Sequence, residues 1–408
     1  MRRVRVEVVG ERASVTPLEL FFDLVFVFAL TQVTALMAQE SAVTVTAVAR
    51  GTLILAVLWW CWVCYAWLFN VIRADEGVAR AAMFGAMGSM FVAAITIPEA
   101  FDDLPGGLPG PTVFAACYFV VRAIHILMFW LASRDDPTLR GQVIRFVPPM
   151  LAGTLLLLIA AQTTGTTQTL LWLAALAGDY LGTLVAGTNW RLNSAAHFAE
   201  RHGLIIIVAL GESIVSLGIG VAHLPVSWTI IVASGLGLAV TGALWWAYFD
   251  ITSRITERAL TAAQGPRQIM LARNGYSYLH LPMIIGIIML ALGLKKVLSY
   301  VAGDGGHTLP DPISGVPLAA LYGGAALYLL AHVGFKVCLT GSVSRVRLTV
   351  VVLLVTLTPL IAGLPALATL AVLATVLVAL IAYETMRYAV QRHEIRHDTA
   401  HGHARNDD

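Results

Sequence analysis

Two carboxylates in this chain stand inside apolar runs: Asp23 in TPLELFFDLVFVFAL and Glu212 in HGLIIIVALGESIVSL. Each lies eleven residues beyond an arginine that follows a glutamate, Glu11-Arg12 in the first case and Glu200-Arg201 in the second. An ionisable group inside a membrane-spanning helix costs ~2.5–3.5 kcal/mol on insertion scales, so such groups usually mark ion paths or proton sites. A costly feature repeated at one offset suggests a site assembled by two related halves. The chemistry open to it is binding of a proton or cation, or acid and base catalysis by a carboxyl pair.

Other polar groups fall in the same apolar surroundings. Arg122 and His125 lie three residues apart in a fourth apolar run, Asp179 lies in a sixth, Ser216 follows Glu212 by one helical turn, and His280 and His332 lie in a ninth and a tenth. Arg122 is the expected counter-ion of Asp23 or Glu212, and the histidines could relay protons. Cys61 and Cys64 form a C-x-x-C inside an apolar helix, outside the βαβ setting of a redox motif, and read as membrane core. His393-Glu394-Ile395-Arg396-His397 matches H-E-x-x-H, yet a short polar tail cannot build a metalloprotease cleft. We therefore expect no metal site and no cofactor. No G-x-x-x-x-G-K-[ST] loop occurs, which argues against ATP-driven transport by this chain alone.

The elements that must position these groups are read from composition. Of 408 residues 58% are hydrophobic and 12% charged, against about 25% charged in soluble domains. Twelve apolar stretches approach the ~20 residues needed to span a bilayer: 17–38, 51–69, 80–97, 112–132, 146–161, 168–187, 203–222, 227–249, 275–294, 316–336, 348–362 and 366–385. The break at Gly363-Leu364-Pro365 separates the last two. With this division, the termini and alternate connections carry 22 of the 26 Lys and Arg residues, and the opposite loops carry 3. The positive-inside rule then places both termini in the cytoplasm. It also explains the basic ends without nucleic acid, so no nucleic-acid partner is expected.

Six helices per unit would give a parallel repeat, with residues 17–187 and 203–385 as the two units. Residues 1–16 form an N-terminal segment, 188–202 a cytoplasmic linker and 386–408 a charged tail. RFVPPMLAGTLLLLIAA from Arg145 aligns without gaps on RLTVVVLLVTLTPLIAG from Arg347. Helices 2 and 8 share aromatic ends, WWCWVCYAWLFN and ALWWAYFD. The expected fold is an all-α polytopic membrane protein of about twelve helices in two parallel six-helix repeats.

TPLELFFDLVFVFAL, the ER-HGLIIIVALGESIVSLG segment, WWAYFD and YSYLHLP resemble the bacterial low temperature requirement A family. The resemblance runs from about Arg12 to Glu384 and implies a multi-pass protein of the bacterial inner membrane, without naming a substrate. Its partners would be the lipid bilayer and a small cation, a proton or a small solute; a homo-oligomer is compatible with it. The residues favour a secondary transporter in which Asp23 and Glu212 bind the ion. An intramembrane enzyme acting on an isoprenoid or other lipid through the same two carboxyls is the alternative, and a sensor or assembly factor is a third.

Overall fold

The computed structural model describes Gly10 and residues 14–39, 43–185, 187–222 and 225–387. Glu11-Arg12 and the H-E-x-x-H tail lie outside the described residues. Among those described, the chain is helical: α1 Pro17–Ala38, α2 Val45–Val71, α3 Gly77–Ile95, α4 Gly110–Ala132, α5 Pro137–Ala160, α6 Gly165–Val185, α7 Ala195–Ile219, α8 Trp228–Phe249, α9 Thr252–Ala262, α10 Gly265–Leu271, α11 His280–Val301, α12 Gly315–Thr340, α13 Arg345–Leu360 and α14 Ala366–Arg387. A π-helical segment, Ala272–Tyr278, joins α10 to α11.

Twelve of these helices fall on the twelve apolar stretches, and ten spans are long and apolar enough to cross a membrane. The two that fall short are α6, which carries Gln168, Asp179 and several threonines, and α13, whose 16 residues stop at Leu360. The last two helices part at the expected Gly-Leu-Pro break. Two features differ from expectation. The eighth-to-ninth connection is the amphipathic α9, which buries Thr252, Thr256 and Leu260, followed by α10 and the π segment. Helix α7 begins at Ala195, eight residues before the expected Gly203.

Local chemistry sets the helix starts. Thr16 caps α1 in a capping box with Glu19, and Pro17 supplies the fixed backbone angle at the first helical position. Ser194 caps α7 and Asp136 caps α5. The core is built around α2, whose most apolar window is 83% buried, with α11 and α12 at 67%. The last two cross at glycines: a Cβ on Gly286 would lie 2.6 Å from the Gly324 carbonyl oxygen, and the converse holds as well. Only hydrogen at both positions allows that approach.

Helix neighbours recur along the chain. The packed pairs α1–α2, α1–α3, α3–α4, α4–α5, α5–α6, α2–α4 and α2–α6 are matched by α7–α8, α7–α11, α11–α12, α12–α13, α13–α14, α8–α12 and α8–α14. Helices α1 and α7 also pack on each other. Their contacts run in one direction: Glu19 meets His197, Asp23 meets Arg201 and Thr31 meets Glu212. The two helices are therefore parallel. Below, the end at which α1 starts is the near end.

Candidate functional site

At the near end Asn70, the penultimate residue of α2, fixes the start of α7. Its side-chain oxygen accepts the backbone N–H groups of Asn193 (2.7 Å) and Ser194 (3.3 Å). Its amide donates to the Ser194 carbonyl (2.7 Å) and to His197 Nδ1 (3.3 Å). That arrangement makes His197 Nδ1 the acceptor and leaves Nε2–H to donate to Glu19, 3.1 Å from Oε1. One turn further on, Arg201 stands 3.3 Å from Glu19 Oε1 and 3.0 Å from Asp23 Oδ1. The Trp62 indole N–H donates to the same Asp23 oxygen at 2.8 Å, and its ring faces the Arg201 guanidinium at 5.4 Å. Glu19, Asp23, His197 and Arg201 are all at most 2% exposed. Asp23 Oδ2 is buried without a hydrogen-bond partner.

Beside this cluster lies a ring of aromatic and imidazole groups organised by the π segment. The wider turn frees the Ser277 carbonyl, which accepts from Trp59 Nε1 (2.8 Å), while Ser277 Oγ accepts from Trp67 Nε1 (3.0 Å). Single π turns are frequent at functional sites. His280 donates from Nδ1 to the Gly275 carbonyl (3.1 Å) and accepts at Nε2 from the Tyr248 hydroxyl (2.9 Å). His202 donates from Nδ1 to the Phe198 carbonyl (2.8 Å), and its Nε2 is buried and unpartnered between Trp62 and His280. The YSYLHLP stretch is this π segment and the start of α11.

Further from the near end, Glu212 accepts from Ser216 Oγ (2.8 Å) and contacts Thr31 Oγ1 (2.5 Å). Lys295 of α11 acts on it electrostatically without reaching it as an ion pair. Thr31 is two turns beyond Asp23 on α1, about 12 Å by helical rise. The two carboxylates thus share the α1–α7 interface at different levels.

Arg122 is elsewhere. It pairs with Asp179 at 3.1 Å, while the Tyr118 hydroxyl donates to the same carboxylate and Cys64 Sγ meets the guanidinium. It is the counter-ion of neither Asp23 nor Glu212, because α4 packs on α2, α3 and α5 and away from α1 and α7. His125, one turn from Arg122, faces a cleft of about 450 Å³, counted with its open part, walled by Trp60, Trp67, Phe129, Phe146 and Trp190. Both ring nitrogens of His125 are buried and unpartnered. His332 lies beside Arg347, which makes a two-pronged pair with Glu384 at 2.8 Å on each oxygen.

The structure therefore brings Glu212 to Ser216 and Arg122 to Asp179, gathers His280 and His332 around Tyr248 and Phe335, and gives Asp23 and His125 separate surroundings. Sequence reasoning noted Arg201 only as part of the repeated Glu-Arg motif, without a site role, and passed over His197 and His202, since all three fell within the stretch assigned to a linker. Their signal was present: ERHG continues the i, i+4 stripe of α7 through Glu212. Among the described residues no group of His, Cys, Asp and Glu is arranged to hold a metal.

The sequence pattern of the bacterial low temperature requirement A proteins matches residues 14–382. The chain is also similar to Uncharacterized protein RA0937 of Rhizobium meliloti (strain 1021), 29% identical over 287 residues that cover 67% of each protein. No solved structure matches. With its match running from before α1 into α14, the chain belongs to the bacterial low temperature requirement A family.

Proposed function

We propose that this multi-pass membrane protein is a secondary transporter driven by a proton or small cation, with the α1–α7 interface as its ion path. One observation carries this reading. Asp179 has Arg122 and Glu384 has Arg347, each a matched pair. Glu19, Asp23 and Glu212 lie along one buried interface, and Arg201 is the one guanidinium in contact with any of them among the described residues. An uncompensated buried charge is strongly unfavourable, so the surplus acids call for protons or cations that come and go. Two such positions at different levels of one helix pair make steps along a path.

The recurrence of helix neighbours supports a duplicated architecture, and the gathering of Lys and Arg in alternate connections supports both termini in the cytoplasm of a bacterial inner membrane. It also favours a register other than the one between Asp23 and Glu212. A two-fold axis along the membrane normal preserves depth, and the α1–α7 contacts join residues 178 to 181 apart. A shift near that value aligns Ala29-Leu30-Thr31-Gln32 with Ala209-Leu210-Gly211-Glu212. Gln32, not Asp23, is then the counterpart of Glu212, and each half contributes different chemistry.

The test is flux into liposomes carrying purified protein. Asp23→Asn and Glu212→Gln preserve shape and remove the ionisable acid; each should reduce ion-driven flux and change its dependence on pH while the protein stays folded. Wild-type flux in both folded variants would refute the reading. The His125 cleft favours a second reading, an enzyme for a flat or apolar substrate, because its aromatic walls surround an imidazole with both nitrogens free. In that case the vesicles show no flux, and membranes containing the protein accumulate a changed lipid that His125→Phe abolishes.

A further inference from the structure

We propose that the His125 cleft binds a flat carboxylate, an aromatic acid in its ionised form. The proposal rests on the cleft of the second reading above, deepens that reading by naming the ligand class, and concerns binding alone. Helix α2 sets the shape. Trp60 and Trp67 lie two turns apart on it, about 10 Å by helical rise, with the smaller Val63 and Cys64 between them on the cleft wall. Phe129 of α4, Phe146 of α5 and Trp190, in the connection between α6 and α7, supply the other rings. Trp190 stands edge-on to Phe146 at 4.8 Å between centroids and to Phe129 at 5.7 Å. A long slot with ring walls suits a flat body of one or two fused rings.

Polar groups in the wall set the charge of that body. His125 is 3% exposed, and neither ring nitrogen has a hydrogen-bond partner. A neutral imidazole carries a hydrogen on one of them. The Trp190 indole N–H is also buried without an acceptor, and an indole can only donate. Arg273 of the π segment donates from Nε to Asn274 Oδ1 at 3.0 Å, and its two terminal nitrogens have no hydrogen-bond partner among the described residues. Among those residues no Asp or Glu lines the cleft. Asp179, one turn before the lining residue Thr183, is matched by Arg122. Donors without an acid complement a group that only accepts, and an ionised carboxylate fits the planar guanidinium fork.

Two other ligand classes fit less well. Aromatic walls attract cations, but here a guanidinium stands in the wall with no acid to offset it. A neutral amide or quinone would use the indole and imidazole hydrogens and leave Arg273 without a counter-charge. The guanidinium is also held in place. Ile269 of α10 and Arg273 and Ser277 of the π segment come from the second half of the chain, against walls from the first. Trp59 and Trp67 of α2 tie Ser277 down through its carbonyl and its hydroxyl. The wide turn therefore fixes Arg273 beside the rings that would hold the ligand's body.

Calorimetric titration of the full-length protein in detergent, with naphthoate, naphthamide and a naphthyl trimethylammonium salt, separates shape from charge. Naphthoate should bind saturably and at least about tenfold more tightly than the amide, the typical strength of one charge-assisted hydrogen bond. The ammonium should bind least. Arg273→Gln should erase the preference for naphthoate while the amide binds as before. Trp190→Phe keeps a ring, deletes the N–H and should weaken naphthoate several-fold, should the glutamine variant fail to fold. Equal affinity for the three probes, no saturable binding of naphthoate, or naphthoate affinity unchanged in a folded variant overturns the proposal. The two readings fail separately. Naphthoate binding without any changed lipid sinks the enzyme and leaves the ligand class. A changed lipid that His125→Phe abolishes, in a protein indifferent to naphthoate, sinks the ligand class and leaves the enzyme.

Discussion

Arg201 of α7 reaches Asp23 of α1, Nη2 to Oδ1 at 3.0 Å, with both side chains at most 2% exposed. This pair joins the helices that begin the two halves of the chain. It places a cation of the second half on an acid of the first, so neither half holds a complete cluster.

Arg201→Met should therefore be severely destabilising. It leaves Glu19 and Asp23 without a cation, and removing one partner of a buried pair costs about 3–5 kcal/mol. Thermal unfolding in detergent should show a large fall in Tm. Adding Asp23→Asn should recover part of the loss, because one stranded charge goes with it. Equal and additive losses in the single and double variants would dissociate the pair.

The Arg122–Asp179 pair makes the opposite prediction for function. Its charges balance, and Tyr118 completes the carboxylate. Arg122→Met alone should destabilise by about 3–5 kcal/mol, whereas Arg122→Met with Asp179→Leu should return close to wild type. The double variant should keep its vesicle flux. Loss of flux in a stable double variant would move this pair from scaffold to ion path.

The α11–α12 crossing tests the fold. Gly286→Ala drives a methyl to 2.6 Å from the Gly324 carbonyl, whereas Gly323→Ala meets nothing within 4 Å. Overpacking of this kind costs about 1–3 kcal/mol. Gly286→Ala should lower Tm and Gly323→Ala should leave it unchanged or raise it. Two equal responses would contradict the close crossing.

Much of this was legible in the sequence, and the limits are physical. The twelve long helices could be drawn because apolar length is a local property. The near-end helices α9 and α10 could not, since their polar residues read as a loop. The start of α7 was missed for the same reason: Glu200, Arg201 and His202 look like linker until α1 and α2 supply the acid, indole and aromatic partners that bury them. Pairing of Arg122 was beyond reach because helix neighbours are set by long-range packing, and several acids lay at comparable depth. Asp23 and Glu212 were found by type and surroundings, while their different levels emerged only from the contacts of Thr31 and Arg201.

Acid should loosen the start of α5. Asp136 lies just outside the helix and accepts from the backbone N–H groups of Thr138 and Leu139, both at 3.1 Å, and pairs with Arg191 at 2.7 Å. The Leu139 N–H above all, then Arg191, holds its carboxyl below the ordinary value. A lowered value means stability that is present above the unfolded pKa of ~3.9 and is lost as pH falls through the folded value. Asp136→Ala should cost about 1 kcal/mol at neutral pH, the usual worth of such a cap. It should also remove that part of the acid sensitivity below about pH 4. An unchanged acid profile would show that the cap does not titrate with folding.

The direction of the proposed ion path depends on which end faces the cytoplasm. The basic connections lie at the near end with Asp136, while Asp103 and Asp304 occupy connections at the far end, where Asp103 accepts from the Gly110 N–H at 2.8 Å. If positive charge stays inside, reporter fusions after Asp136 should act in the cytoplasm and those after Asp103 and Asp304 outside. Asp23 and Arg201 then stand nearer the cytoplasm and Glu212 about 12 Å further out, by the rise from Asp23 to Thr31. A proton entering from outside would meet Glu212 first and the Asp23 cluster second. Accordingly Glu212→Gln should abolish the response of flux to external pH, while Asp23→Asn should abolish the response to internal pH. Fusions reporting the reverse orientation would exchange these two assignments, and identical responses in both variants would refute a path with two levels.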